Sequence, residues 1–382
     1  MLFSEILGQE HIKSHLTKSA DAGRIPHAQL FIGPEGSGTL PMAISYAQYI
    51  LCGNTAGENN NGNAACNLKF EHFAHPDLHF VYPVATNTEV KSHPVSASFI
   101  KQWREFITEM PYGGLFDWYK KIEIQNKQGQ IGVDEAQEIV KSLSLKAFEG
   151  GYKVMIIWMA DKMNTATSNK LLKLLEEPPQ KTVFLLIAES QDDILQTILS
   201  RCQVLNFGPL SEKVITEALI AKENVEERIA KKLAHQGQGN YNKALHLLHK
   251  DDEEHPFEEW FVLWVRAAFR AKGNASAIQD LISWSDAIAG IGREAQKQFL
   301  NFCIDMFRQA LLLNYNAKEL VFMEPTVEKF KLENFAPFVN GNNINEIFKE
   351  LSDALYHIER NGNAKIILTD LSIKLTRLIH KK

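Results

Sequence analysis

The chain of 382 residues has only four cysteines, Cys52, Cys66, Cys202 and Cys303, and no CxxC pair among them. That scarcity excludes a dense secreted disulfide framework, and reduced thiols are the expectation. Long apolar runs are missing too: none approaches the roughly 20 residues that a membrane-spanning helix needs. The first residues, "MLFSEILGQEHIKSH", carry charge too early for a signal peptide. A cytoplasmic chain without a membrane is the expectation. An excess of positive charge is also absent. A formal net charge of -5 argues against a broad electrostatic grip on DNA, though not against a local basic patch or charge supplied by other chains.

What is present is ordinary for a globular protein, with 45% apolar and 23% charged residues. The length calls for two or three domains. Residues 4–24 have helical apolar spacing, through Ile6, Leu7, Ile12 and Leu16. "QLFIG" predicts a buried strand, "GPEGSG" the loop after it, and "PMAISYAQYILC" the next helix, with Pro41 tolerated in its first turn. Residues 53–70, rich in Asn and Gly, predict an irregular insertion, and deleting part of residues 54–64 is expected to spare folding.

Further on, "DLHFVYPV" predicts a strand, "SASFIKQWREFITEM" a helix, and "YGGLFDWYKKIEI" a helix running into a strand. "VDEAQEIVKSLSLKAFEG" predicts a helix ending at Gly150 and Gly151, and "YKVMIIWMA" a strand. "TATSNKLLKLLEEPP" is a helix stopped by Pro178 and Pro179, "KTVFLLIAES" a strand and "ILQTILSRC" helical. Strands alternating with helices up to about residue 205 imply a parallel sheet covered on both faces. Residues 211–250 read as short helices, and residues 255–382 as helices with turns at "NYNAKEL" and "NGNAK".

The stretch "LFIGPEGSGTLPMA" has the spacing of a phosphate-binding loop, GxxxxGK[ST]. Gly33, Gly36 and Gly38 keep the backbone pattern whose N–H groups close around phosphate oxygens. Thr39 stands where lysine reaches the outer phosphates, and Leu40 where a hydroxyl holds magnesium. The strand end that carries acidic residues in hydrolases of this kind has Trp158 and Met159 instead, with Asp161 further on as a candidate helix cap. Two separate sites thus lack their chemistry. A glycine turn with no ligand, or with weak nucleotide binding at most, is the expectation.

"IPHAQLFIGPEGSG", "NKLLKLLEEPPQKTVFLLIAES" and "ILQTILSRC" together resemble the bacterial clamp-loader family, AAA+ subunits of the replicative DNA polymerase III holoenzyme. The resemblance covers residues 1 to about 250 well and the rest more weakly. It implies an α/β AAA+ core with a P-loop NTPase-like parallel sheet at 1–208, a small helical lid at 209–252 and an all-helical collar at 253–382. The altered loop and strand end match the delta-prime type in that family. So does Asn242, which stands where catalytic members carry a second-sensor arginine.

The same resemblance implies that Arg201 of "SRC" reaches across a subunit boundary to ATP held by a neighbour. Read on its own, Arg201 is more simply a helix-terminal arginine paired with a local carboxylate or with the last carbonyls. Cys202 reads as a buried small residue beside it and Ser200 as a helix cap or local hydrogen-bonding group. Glu176, Glu177, Pro178 and Pro179 read as a helix stop. Glu189 and Ser190, at a strand end that senses phosphate in catalytic relatives, read as structural or subunit-contacting.

Many family members carry a four-cysteine zinc module near residues 52–75. Here only Cys52 and Cys66 remain, with His72 and His75 nearby, and a metal-free loop is the expectation. The implied partners are catalytic clamp-loader ATPase subunits, a delta-type subunit, the sliding clamp and primed DNA, in a hetero-oligomeric ring. This chain itself takes no cofactor, since ATP sits on the neighbours. Lys101, Arg104, Lys141 and Lys146 are candidates for phosphate contact, or simply solvated charges. Phe261, Val265 and Phe269 are candidates for collar or internal helix contacts. Two other functions stay open, an ATPase motor of the same family and an AAA+-fold adaptor outside replication.

Overall fold

The computed structural model describes residues 1–53, 64–124, 126–148, 151–249, 256–323, 325 and 327–381. Five strands form one parallel sheet: β1 (Ala28–Ile32), β2 (Leu78–Val81), β3 (Lys153–Ile157), β4 (Thr182–Ala188) and β5 (Gln203–Asn206). Their order is β2-β3-β4-β1-β5, with Ala28 of β1 opposite Phe184 of β4 and Gln29 opposite Gln203 of β5. β1, β3 and β4 are buried along their whole length, which is why they read as continuous apolar runs.

The pleat then sorts their side chains onto two faces. Phe31, Ile156 and Leu185 enter one core, shared with Tyr46 of helix Thr39–Cys52 and Trp103 of helix Ile100–Glu109. Leu30, Met155 and Phe184 enter the other, shared with Ile139 of helix Val133–Ser144 and Leu171 of helix Thr165–Glu176. This is the layered P-loop arrangement expected of the AAA+ core.

The chain divides into two compact units. Met1–Ile124 and Gly129–His249 make one, which takes the helices Glu212–Glu223, Glu227–Gly237 and Tyr241–His249 together with the sheet. Gln125–Gln128 and Lys250–Lys382 make the other. The second unit is helical, with Phe261, Trp264, Phe307, Leu351 and Leu371 in its core. Phe261 and Val265 are buried there, while Phe269 lies half open against Phe338 and His380. Among the described residues no helix is long and apolar enough to cross a membrane.

Several local expectations are corrected. Residues 4–24 are not one helix: Phe3–Glu5 is a 3-10 turn, Gln9 is left-handed at φ 58°, and the helix runs Glu10–Asp21. "IEI" forms no strand, and Ile122 and Ile124 are buried as irregular backbone. The helix from Val133 ends at Ser144 because Leu145 turns extended, at ψ 148°. Asn164, not Asp161, caps the helix Thr165–Glu176 by accepting from the Thr167 N–H at 2.8 Å. Asp161 instead pairs with Lys162 at 2.8 Å. The strand β5 is an addition that its polar ends had hidden.

In the Asn-rich stretch, residues 54–63 lie outside the described ones, and Ala64–Glu71 is a helix rather than an irregular segment. Cys52 and Cys66 are not reduced thiols. They form a disulfide, because the two helix ends bring their Cα atoms within 5.5 Å. The bond closes a loop of sequence separation 14, for which chain-entropy arguments give about 3 kcal/mol. Dithiothreitol is therefore expected to lower the urea midpoint of the wild type to that of Cys52→Ser. It should leave the variant unmoved. Equal midpoints with and without reductant in the wild type would rule the bond out.

Glu135 shows how tightly this unit is closed. It is 4% exposed, and its Oε2 accepts the Ser96 N–H at 2.6 Å. Burial pushes its carboxyl up to about 7 from an ordinary 4.5, against the hydrogen bonds from Ser96. A raised carboxyl favours the folded state fully below its unfolded pKa, and that contribution is lost as the pH rises through the folded value. Glu135→Gln is therefore expected to stabilise the chain at pH 8, by roughly 3 kcal/mol for a rise from 4.5 to about 7 at about 1.4 per pKa unit. The gain should vanish near pH 4. Urea unfolding at both pH values measures it, and no gain at pH 8 would refute the assignment.

Candidate functional site

The loop of residues 33–38 leaves β1 and runs into the helix Thr39–Cys52. Gly36 (φ +71°) and Gly38 (φ +93°) hold left-handed backbone that favours glycine. Gly36 has a second reason: a Cβ there would lie 2.0 Å from Asn240 Oδ1, so the start of the helix Tyr241–His249 sits directly on the loop. Thr39 opens the helix half-buried, and Leu40 is 3% exposed, inside the core.

Opposite the loop, Trp158 and Met159 follow β3. Trp158 is 2% exposed and lies against Trp103 and Phe106, with centroids 5.2 and 5.8 Å away. Met159 is 5% exposed and left-handed at φ 54°. Between loop and strand end the remaining cavity is about 20 Å³. A ligand pocket for a molecule of nucleotide size is several hundred Å³. Its lining has two carboxylates, Glu35 and Glu189, and no Lys or Arg. That lining does not fit a nucleoside triphosphate. Ser190, next to Glu189, is turned to a local contact and accepts the Asp192 N–H at 3.2 Å.

Residues 240–246, at the start of the helix Tyr241–His249, are held to the loop by side chains. Asn242 is 2% exposed, and its Nδ2 donates to Glu35 Oε1 at 3.1 Å and to Asp117 Oδ2 at 2.7 Å. Asn240 Nδ2 donates to the same Glu35 oxygen at 3.2 Å. His246 Nε2 meets Asp117 Oδ1 at 2.9 Å. Burial and the Asp117 carboxylate push Glu35 up, against the two amide donors and the His246 charge. Burial would raise Asp117 as well, but His246, the Gly114 N–H and Asn242 outweigh it and hold Asp117 below the usual carboxylate range. Sequence reasoning marked Asn242 and missed Glu35, Asp117 and His246. Nothing local could have joined residues so far apart in the chain.

Arg201 lies just after the helix Gln196–Leu199. Its Nη1 donates to Thr197 O at 2.8 Å and to Ser200 Oγ at 3.1 Å, and its Nη2 to Glu176 Oε1 at 2.5 Å. The side chain is 33% exposed. Both the local carboxylate and the helix-end carbonyl of the simpler sequence reading are thus in place in the single chain. Arg201 makes none of these bonds to the loop of residues 33–38, and its carboxylate partner is Glu176, which the sequence reading took as part of the "EEPP" helix stop. Cys202 is half-buried rather than buried, and burial pushes its thiol up to about 11.

The other candidates are spread out. Arg104 Nε donates to Phe73 O at 3.2 Å, Lys141 pairs with Glu138 at 3.6 Å, and Lys101 and Lys146 are exposed. His75 is buried, its Nδ1 accepting the Asp77 N–H at 3.1 Å. Among the described residues no group of three or more His, Cys, Asp or Glu is placed to hold a metal.

Comparison with known proteins adds a family. Residues 8–211 match the family model described as "DNA polymerase III, delta subunit". The DNA polymerase III subunit delta' of Bacillus subtilis (strain 168) is 30% identical over 244 residues, 64% of this chain and 60% of that protein. The delta' subunit of Haemophilus influenzae is 28% identical over 57% of this chain and 53% of that protein. The DNA polymerase III subunit gamma of Buchnera aphidicola is 28% identical over 64% of this chain and 57% of that protein. The match thus spans between half and two thirds of the length of these relatives. With more than half of its residues inside the family match, the chain belongs to the DNA polymerase III delta-subunit family and is delta-prime-like, in keeping with the clamp-loader resemblance of its motifs.

Proposed function

We propose that the chain is a non-catalytic stator of the bacterial DNA polymerase III clamp loader. In a cytoplasmic hetero-oligomeric ring it stands beside catalytic ATPase subunits and a delta-type subunit, and helps to place the sliding clamp on primed DNA. It hydrolyses no ATP itself. It gives Arg201 to ATP held by a neighbour, and the helices of residues 253–382 join a collar. Residues 1–208 are its core and residues 209–252 its lid.

The observation that carries this reading is the contrast between two places in one unit. The loop at Gly33, Gly36, Gly38, Thr39 and Leu40 has a cavity of about 20 Å³ with two carboxylates and no cation in its lining. Arg201, by contrast, is accessible at 33% and held by three hydrogen bonds. A guanidinium held in place from outside a neighbour's site stabilises charge developing between phosphates without reorganising. Supplying it in trans makes hydrolysis depend on assembly. The test is the DNA- and clamp-stimulated ATPase of a reconstituted ring containing this chain as wild type or as Arg201→Ala. A chain that joins neither an ATPase subunit nor a collar is an adaptor outside replication instead.

A further inference from the structure

The three sequence stretches that carry the family resemblance meet at one point of the fold. His27, of "IPHAQ", donates from Nε2 to Leu175 O at 3.0 Å, since a carbonyl can only accept. That bond ties the last turn of the helix Thr165–Glu176 to the start of β1. Glu176, of "LLEEPP", then reaches Arg201 of "SRC" at 2.5 Å. Beneath them Leu172, Leu174, Leu199 and Cys202 border the same apolar core.

Glu176 is poorly placed for its own helix. It sits in the final turn, where the macrodipole is negative and disfavours a carboxylate, and Glu177 follows it. The side chains of Glu176 and Arg201 are 49% and 33% exposed. An ion pair that open contributes little to stability. Its consequence is geometric. Thr197 O and Ser200 Oγ hold Nη1 from one side, and Glu176 holds Nη2 from the other. Among the described residues nothing takes the Nε–H or the second Nη2–H, which remain for an outside acceptor.

We infer that Glu176 is a positioning residue that mounts Arg201 for the neighbour's ATP, with His27 fixing the helix end on which the mount stands. This rests on the trans-arginine reading. Glu176 touches no reactant: it acts by limiting the rotamers of a long side chain before the ring closes. A guanidinium aimed in advance loses less freedom in the transition state, so the effect falls on turnover rather than on ATP affinity.

The experiment uses complete rings with this chain as wild type, Glu176→Ala, Glu176→Gln, Arg201→Ala and the double alanine variant, each checked for assembly by size exclusion. Glu176→Ala is expected to lower kcat of stimulated ATP hydrolysis about five- to tenfold with KM for ATP nearly unchanged. Glu176→Gln, which keeps an acceptor for Nη2, should recover part of that loss. In the Arg201→Ala background Glu176→Ala should cost nothing further, because the two act as a unit. A wild-type kcat in Glu176→Ala overturns the mount, as does an equal loss with and without Arg201. If Arg201→Ala is damaging and Glu176→Ala silent, only the mount falls. If Arg201→Ala is itself silent, the trans reading falls and the mount with it.

Discussion

A ring containing Arg201→Ala is expected to lose at least about tenfold of its DNA- and clamp-stimulated ATPase, and on the order of 10³ at the single site that this arginine is proposed to serve. The size follows from what the residue replaces. Charge that develops on the outer phosphates in a water-excluded site is stabilised only by donors already in position. Arg201 meets that condition from its own chain, through Glu176, Thr197 and Ser200. Its removal leaves the loop at Gly33–Gly38 untouched, so the isolated chain should not change in folding. The measurement needs assembly to be intact, which size exclusion checks, and the loss of an ion pair half open to water should change the chain's own stability little. An unchanged rate would make Arg201 a helix-end residue and the adaptor reading the one to pursue. Hydrolysis by the isolated chain would point to the ATPase motor instead.

The sequence made some of this legible and hid the rest for physical reasons. β1, β3 and β4 are buried on both faces, so each reads as an apolar run. β5, at the sheet edge with Gln203 and Asn206 exposed, has no such signal. Ile122 and Ile124 read as a strand because burial and strand pairing leave the same apolar mark. Gly150 and Gly151 suggested a helix end that Leu145 reaches first. The loop's altered residues could be seen one by one, because a motif fixes what each position must do. What fills their place could not: Asn242 finds Glu35 at a separation of 207 residues, and Arg201 finds Glu176 at 25. Cys52 and Cys66 were visible as residues, but only the approach of two helices, which brings their Cα atoms within 5.5 Å, makes them a bond.

Trp158→Ala is expected to cost about 3–5 kcal/mol, read as a fall in the urea midpoint at unchanged slope. The strand-end position that holds an acid in catalytic relatives is here part of an aromatic cluster. Trp158 lies against Trp103, which stacks on Tyr82 at 4.1 Å and meets Trp118 edge-on at 5.1 Å. Trp103 and Trp118 are fully buried, so a truncated Trp158 leaves a cavity whose walls are rings that cannot collapse into it. Trp158→Asp should cost more than Trp158→Ala, since it adds a carboxylate without a partner among those rings. It should restore no ATPase either, because Thr39 and Leu40 still supply neither cation nor metal ligand. A loss under about 1 kcal/mol for Trp158→Ala would mean that the cluster tolerates the gap. The larger loss would mean that the acid's place has been given over to packing, so that catalysis at this loop is several coupled substitutions away.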